Sequence, residues 1–184
     1  GLTTRANIAQ LIYSTAPAGQ TTIYLDNVYF YDESGILTEP MVAAPTPTLD
    51  AADVISMFSD AYTDVAVDTW RTVWSNATFE DVEVAGNATK KYSSLGFVGV
   101  ETVMNQIDIS GMTHFHVDVW TPDASAFRMK LVDFGANGAF DGPGVGDDTE
   151  HELEYGDPVS GEWISLDIPL ADFTGLTALI TSRS

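Results

Sequence analysis

Along this chain apolar and polar positions alternate with a period of two. In "HFHVDVW" Phe115, Val117 and Val119 alternate with His114, His116, Asp118 and Trp120, and in "WISLDIPL" Ile164, Leu166, Ile168 and Leu170 fall on one face. Successive side chains of extended backbone point to opposite faces, so each pattern predicts a half-buried strand. "TTIYLDNVYFY" (21–31), "DVISMFS" (53–59), "FEDVEVAG" (79–86) and "FRMKLVDF" (127–134) are further strand candidates, rich in β-branched or aromatic residues and bounded by Gly, Asn, Asp or Pro. Helical signals are thin: only "TRANIAQLIYS" (4–14) and "GVETVMNQI" (99–107) suit short helices, and Ile8, Leu11 and Ile12 suit a strand almost as well. Many short strands without long intervening helices predict an all-β fold, an antiparallel β-sandwich of jelly-roll type.

The alternation breaks at "ESGILTEPMVAAPTPTLDAAD", where prolines 40, 45 and 47 stand among small residues. This composition predicts a stiffened linker over 35–49, dividing a short piece, 1–34, from a body, 50–184. Thirty-four residues with about two strands bury too little to fold alone, so the short piece must dock. The ends suggest where. The chain opens on "GLTTRA" and closes on "GLTALITSRS"; if "TSRS" (181–184) is matched to "TTRA" (3–6), the text expected after Ser184 sits at residues 7–32. The sequence order is then rotated: the usual last strands come first, by circular permutation or by a tandem-repeat offset. They close the sandwich in cis or by exchange between molecules.

Charge narrows the partners. Seven Lys and Arg against 27 Asp and Glu give a net charge of −20, which repels nucleic acid and anionic membrane surfaces. The same balance suits a cation, a neutral ligand or salty extracellular surroundings. No cysteine is present, so neither a disulfide scaffold nor thiol chemistry is expected. No apolar run reaches the ~20 residues that span a bilayer. A soluble segment is expected, with any export signal outside it and no membrane insertion.

The phrases "DVISMFSDAYTDVAVDTWRTVWSNAT", "TKKYSSLGFVGVET", "GMTHFHVDVW", "FRMKLVDFG", "DDTEHE", "GEWISLDIPLADFTGLT" and "NIAQLIYS…TIYLDNVYFY" resemble the carbohydrate-binding modules borne, often in tandem, by secreted polysaccharide-degrading enzymes of marine bacteria. In such modules "NIAQLIYS" and "YLDNVYFY" come last, which matches the rotated order read from the chain ends. The resemblance implies a β-jelly-roll, a non-catalytic role, a secreted location, an attached catalytic domain or neighbouring repeat, and a structural calcium ion.

Calcium prefers six to eight hard oxygen ligands. "FSDAYTDVAVD" supplies Asp60, Asp64 and Asp68 after the first strand of the body, and "YLDNV" supplies Asp26 on what should be the last. In jelly-rolls of the resembled kind those strands lie side by side, which makes Asp26, Asp60 and Asp64 the expected metal ligands. A second acidic loop, "DFGANGAFDGPGVGDDTEHE", offers Asp133, Asp141, Asp147, Asp148 and Glu150; its spacing is not that of an EF-hand. His114 and His116 share one strand face and would need His151 nearby to hold zinc, so surface histidines are the simpler expectation.

A sugar site needs flat aromatic faces and planar polar groups. "VDTWRTVWS" places Trp70 and Trp74 around Arg71 in a turn-rich stretch, with at least one of the two indoles expected in the core. Trp120, with Asp118 and His116, offers a sheet-face alternative beside Arg128 and Lys130. Trp70, Trp74, Arg71, Lys91 and Trp120 are the candidate carbohydrate-binding residues; the basic side chains, Lys90 included, serve equally as internal charge pairs. The partner implied is a polysaccharide, and the acidity favours a neutral β-glucan such as laminarin. A calcium-stiffened spacer or adhesion repeat with no sugar ligand is the alternative, distinguished by whether its tryptophans are buried. Catalysis is not expected: there is no G-x-S-x-G, P-loop or H-E-x-x-H motif, nor the clustered acids of sandwich-fold glucanases.

Overall fold

A computed structural model describes residues 22, 24–28, 37–142 and 145–176. The chain divides into two compact units, residues 1–35 and 36–184. In the first, the described residues carry no strand pairing, and Asn27, at φ 51°, donates its N–H to the Asp26 carboxylate at 2.8 Å. "TRANIAQLIYS" lies outside the described residues.

In the second unit the regular structure among the described residues is β, apart from single 3-10 turns at Ala51–Asp53 and Leu170–Asp172. Six strands are present: β1 (Asn76–Val84), β2 (Asn87–Phe97), β3 (His114–Trp120), β4 (Ala126–Asp133), β5 (Thr149–Gly156) and β6 (Trp163–Pro169). They form three antiparallel pairs, β1–β2, β3–β6 and β4–β5. No helix is long and apolar enough to cross a membrane among the described residues. The fold is all-β, as the alternation predicts.

Each pair has a sequence reason. β1 and β2 join through Ala85 and Gly86, at φ 51° and 86°, with Val84 opposite Asn87. A two-residue loop with both residues left-handed twists in the sense of the strands it connects, and closes the hairpin tightly. β3 and β6 pair in register from His114 opposite Pro169 to Trp120 opposite Trp163. Phe115, Val117 and Val119 thus share one face with Ile164, Leu166 and Ile168, while the polar residues and both tryptophans share the other. β4 and β5 flank the Gly-rich acidic loop; Met129 and Leu131 oppose Leu153 and His151 on one face, and Arg128 opposes Glu154 on the other.

The core lies under β6. Ile168, Leu170, Phe173 and Leu176 are buried together, and Phe115, Leu166, Met129, Leu131, Leu153 and Tyr155 pack against them. The β3–β6 and β4–β5 pairs therefore bury their apolar faces in one cluster. His151 closes its edge, set edge-on to Phe173 and accepting the Gly175 N–H at Nδ1, 2.7 Å away.

Within the second unit the structure differs from the sequence reading in four places. "DVISMFS" is not a strand and makes one isolated bridge, Ser56 to Asp64. The Asp64 carboxylate there accepts the Ser56 hydroxyl (2.6 Å) and the Ser59 N–H (3.0 Å), and such local bonds compete with a ladder. "GVETVMNQI" is not a helix: Glu101 exchanges backbone hydrogen bonds with Thr69, and Asp68 accepts from the Met104 N–H and the Asn105 amide. β2 and β5 are additional strands. The Pro-rich residues from 37 onward run as a strap held at three points. Glu39 pairs with Lys91, Val42 C=O accepts the Trp163 indole N–H at 2.8 Å, and Leu49 C=O accepts the Tyr62 hydroxyl at 3.0 Å.

Candidate functional site

Trp74 stands on a tight turn. The Ser75 N–H donates to Thr72 C=O, which leaves Val73 and Trp74 as the central residues; the Thr72 and Ser75 hydroxyls meet beneath the turn at 2.7 Å, both residues buried. Gly99 joins the turn to the end of β2, its C=O accepting the Thr72 N–H and its N–H donating to Ser75 Oγ. The benzo edge of Trp74 lies against Gly99, where an added Cβ would come within 2.1 Å of the ring. The indole also stacks on Phe97, with centroids 6.2 Å apart and planes 20° from parallel. Yet Trp74 is 57% and Phe97 53% exposed. An aromatic side chain buries about 150–250 Å² when covered, so leaving half of one in water forgoes roughly 2–3 kcal/mol. The result is a rigid, solvent-facing aromatic platform.

The neighbouring candidates are placed differently. Trp70 turns inward, edge-on to Phe58 at 5.7 Å. With Phe58 and Phe79 it surrounds Lys90, whose Nζ lies 4.3, 4.8 and 5.7 Å from the Phe58, Trp70 and Phe79 centroids and 2.6 Å from the Asp81 carboxylate. Its face is thus engaged by the protein's own cation. Tyr92 completes this cluster, donating its hydroxyl to Trp70 C=O; burial, helped by the Asp81 charge, pushes its pKa up to about 12. Arg71 donates from Nε to Ala77 C=O at 2.7 Å and from Nη2 to Ser75 C=O at 3.4 Å, bracing the turn that carries Trp74. Lys91 is paired with Glu39 at 2.6 Å, and their hydrogen bond raises the lysine pKa and lowers that of the glutamate. Arg128 and Lys130 pair with Glu154 and Glu150. The basic residues near the sugar candidates therefore serve the fold's own charge pairs and carbonyls. Phe97 and Gly99, which complete the Trp74 platform, carry no period or motif that marks them in the sequence.

Trp120 stands at the end of the β3–β6 pair opposite Trp163, both half-buried. Beside them is an apolar cavity of about 380 Å³, walled on its far side by Leu37, Met41, Val42, Ala43 and Pro45 of the strap. Further along the same face the Ser165 hydroxyl donates to Asp118, and His116 contacts Asp167 through Nδ1 at 2.7 Å and Asp118 through Nε2 at 3.5 Å. Burial is the largest single influence on His116 and opposes its charge. The Asp167 hydrogen bond and the Asp118 carboxylate together outweigh it, and hold the imidazole above its usual pKa.

Of the expected metal ligands, Asp60 accepts the Ala88 N–H at 3.1 Å, Asp64 is engaged by Ser56 and Ser59, and Asp26 lies in the first unit. Among the described residues, no group of three metal-ligating side chains includes any of them, nor His114, His116 or His151. The converging set is Asp141, Asp147 and Asp148 of the second acidic loop, with one carboxylate oxygen of each within 4.8 Å of the others.

Glycine builds this set. Gly135 and Gly146 sit at φ 65° and 70°, and a Cβ on either would come within 2.4 Å of the Asp147 carboxyl carbon or 2.2 Å of Asp141 Oδ2. Backbone amides of Ala136, Asp141 and Gly142 hold the Asp147 and Asp148 carboxylates. Among the described residues, Asp148 Oδ1 and Thr149 Oγ1 are buried and find no hydrogen-bond partner. Hard oxygens converging with an unsatisfied carboxylate oxygen fit the calcium ion that the resemblance implies better than the Asp60 region does. Asp141, Asp147 and Asp148 would hold it, and its contribution would be neutralising charge within the loop.

Comparison with protein-family models, with curated proteins and with solved structures gives no match in any of the three.

Proposed function

We propose that the chain is a non-catalytic, secreted carbohydrate-binding module that holds a polysaccharide on the Trp74 platform and so concentrates an attached enzyme on it. The observation that carries this reading is the exposure of Trp74 on a turn braced from three sides by Gly99, Arg71 and the Thr72–Ser75 pair. Pyranose rings present C–H faces that stack on indoles, and a preformed platform loses little entropy on binding. The net charge of −20 favours a neutral β-glucan such as laminarin over an anionic glycan. In this reading the three strand pairs belong to a β-jelly-roll of rotated order that residues 1–34 complete, and a structural calcium ion sits in the acidic loop.

Affinity electrophoresis tests it. Gels containing laminarin should retard the chain, alginate gels should not, and Trp74→Ala should migrate as in gel without glycan. A folded chain that runs unchanged through laminarin, agarose, carrageenan and alginate would instead favour a calcium-stiffened spacer, for which the acidic loop is the supporting observation.

A further inference from the structure

We infer that the outward face of β3–β6 carries a second glycan subsite, in which a neutral pyranose stacks on Trp120 and Trp163 against the wall made by the Pro-rich strap. This inference rests on the polysaccharide reading above and adds to it a site that shares no residue with the Trp74 platform.

Three observations meet at this place. First, in-register pairing brings the two indoles directly opposite each other on the face turned away from the core. Second, the strap fixes one of them: the Trp163 indole N–H donates to Val42 C=O, so the ring is oriented before any ligand arrives. The cavity of about 380 Å³ that remains lies at the lower end of the roughly 300–1,000 Å³ typical of small-ligand sites. Its walls are apolar except at Glu162 on the rim.

Third, the face becomes polar one row away. Asp118 and Ser165 stand two residues along from the tryptophan pair, roughly 7 Å at strand rise, and His116 and Asp167 follow in the next row. A chain of rings laid along the strands would meet aromatic faces first and then hydroxyl-binding acceptors and donors. Carboxylates dominate those rows and the rim, so the occupant is an uncharged glycan, because an anionic one would face Glu162, Asp118 and Asp167 together. An apolar peptide segment could fill the cavity but would leave the polar rows unused.

Two sites on one module would let it grip one glycan chain twice or bridge two, which raises apparent affinity through effective concentration. The chain has four tryptophans, so four indole N–H signals report on both sites in solution. The test is a titration of the full chain with laminarihexaose, and separately with cellohexaose, followed through those signals after assignment by single Trp→Phe variants. With either sugar, the Trp120 and Trp163 signals should shift saturably along with that of Trp74. In Trp74→Ala they should still shift, with a midpoint changed less than about threefold. Ala43→Phe, which fills the cavity from the strap side, should weaken the Trp120 and Trp163 response at least tenfold and leave the Trp74 response in place; the dispersed Trp74 signal then certifies the fold.

Shifts confined to Trp74, or Trp120 and Trp163 shifts that vanish in Trp74→Ala, would overturn the second subsite and leave the proposed function standing. Shifts at Trp120 and Trp163 that Ala43→Phe leaves unchanged would overturn the placement in this cavity. Failure of every indole signal to respond to either hexasaccharide would overturn the second subsite and the β-glucan ligand together, while the polysaccharide reading itself falls only if every glycan gel also leaves the chain unretarded.

Discussion

At the scale of single residues, a large exposed side chain carries weight when neighbours are built around it. Gly99 has an unstrained backbone that alanine can adopt, yet its missing Cβ is the space the Trp74 ring occupies. Gly99→Ala should therefore tilt the indole off Phe97 and weaken laminarin binding by tenfold or more, while the unfolding free energy changes by less than about 1 kcal/mol because the ring can swing into water. Trp74→Ala should cost about 1–3 kcal/mol of binding, tenfold to a hundredfold, with equally little loss of stability. Calorimetric titration alongside denaturant unfolding separates the two effects. Loss of folding in either variant would mark Trp74 as a structural residue.

At the scale of elements, the β3–β6 pair couples a charge to the fold. The folded state holds the His116 pKa above its ordinary value, so the Asp167 and Asp118 contacts contribute stability that is fully present below about pH 6.5 and is lost as pH rises through the folded value. Because the imidazole is 43% exposed, the contribution is that of a screened pair, a change of no more than about 3 °C in Tm. His116→Gln should flatten Tm between pH 5.5 and 8; an unchanged slope would remove the ladder from the account. β1–β2 behaves differently. Tyr92 must stay protonated up to about pH 12, so the pair should lose stability as pH rises from about 10, where the unfolded tyrosine ionises, to about 12. Tyr92→Phe should abolish that loss and, by deleting the bond to Trp70 C=O, cost about 0.5–1.5 kcal/mol at neutral pH.

At the scale of the molecule, self-repulsion and ion binding must be separated. With 27 acidic residues, added salt of any kind should stabilise the fold by screening. A calcium ion held by the acidic loop, as proposed, would add to this: at 100-fold its Kd it would contribute ~2.7 kcal/mol, which corresponds to several degrees in Tm. Calcium should raise Tm above a sodium chloride control of equal ionic strength. Asp148→Asn should remove that increment, while Asp60→Asn and Asp64→Asn should preserve it. The opposite pattern would return the ion to the region the sequence first suggests.

What the sequence determined by itself is mainly local. Alternation in "HFHVDVW" and "WISLDIPL" places β3 and β6 to within a residue, and the left-handed Ala85–Gly86 turn closes the hairpin that "FEDVEVAG" begins, because strand faces and two-residue turns depend on neighbours in the chain. "DVISMFS" has the same apolar content and is no strand, because Asp64, eight residues away, takes its hydrogen bonds. β5 goes unread although His151, Leu153 and Tyr155 alternate with glutamates, because its apolar positions are few and flanked by acids.

Tertiary structure decided the rest. Two tryptophans four residues apart look alike in the sequence. Trp70 turns inward onto Lys90, brought to it from β2, and Trp74 turns outward because Gly99, twenty-five residues on, leaves room for its ring. The meeting of Trp120 with Trp163, and of Asp141 with Asp147 and Asp148, depends in the same way on strand register and on left-handed glycines, which fix distances that spacing along the chain does not.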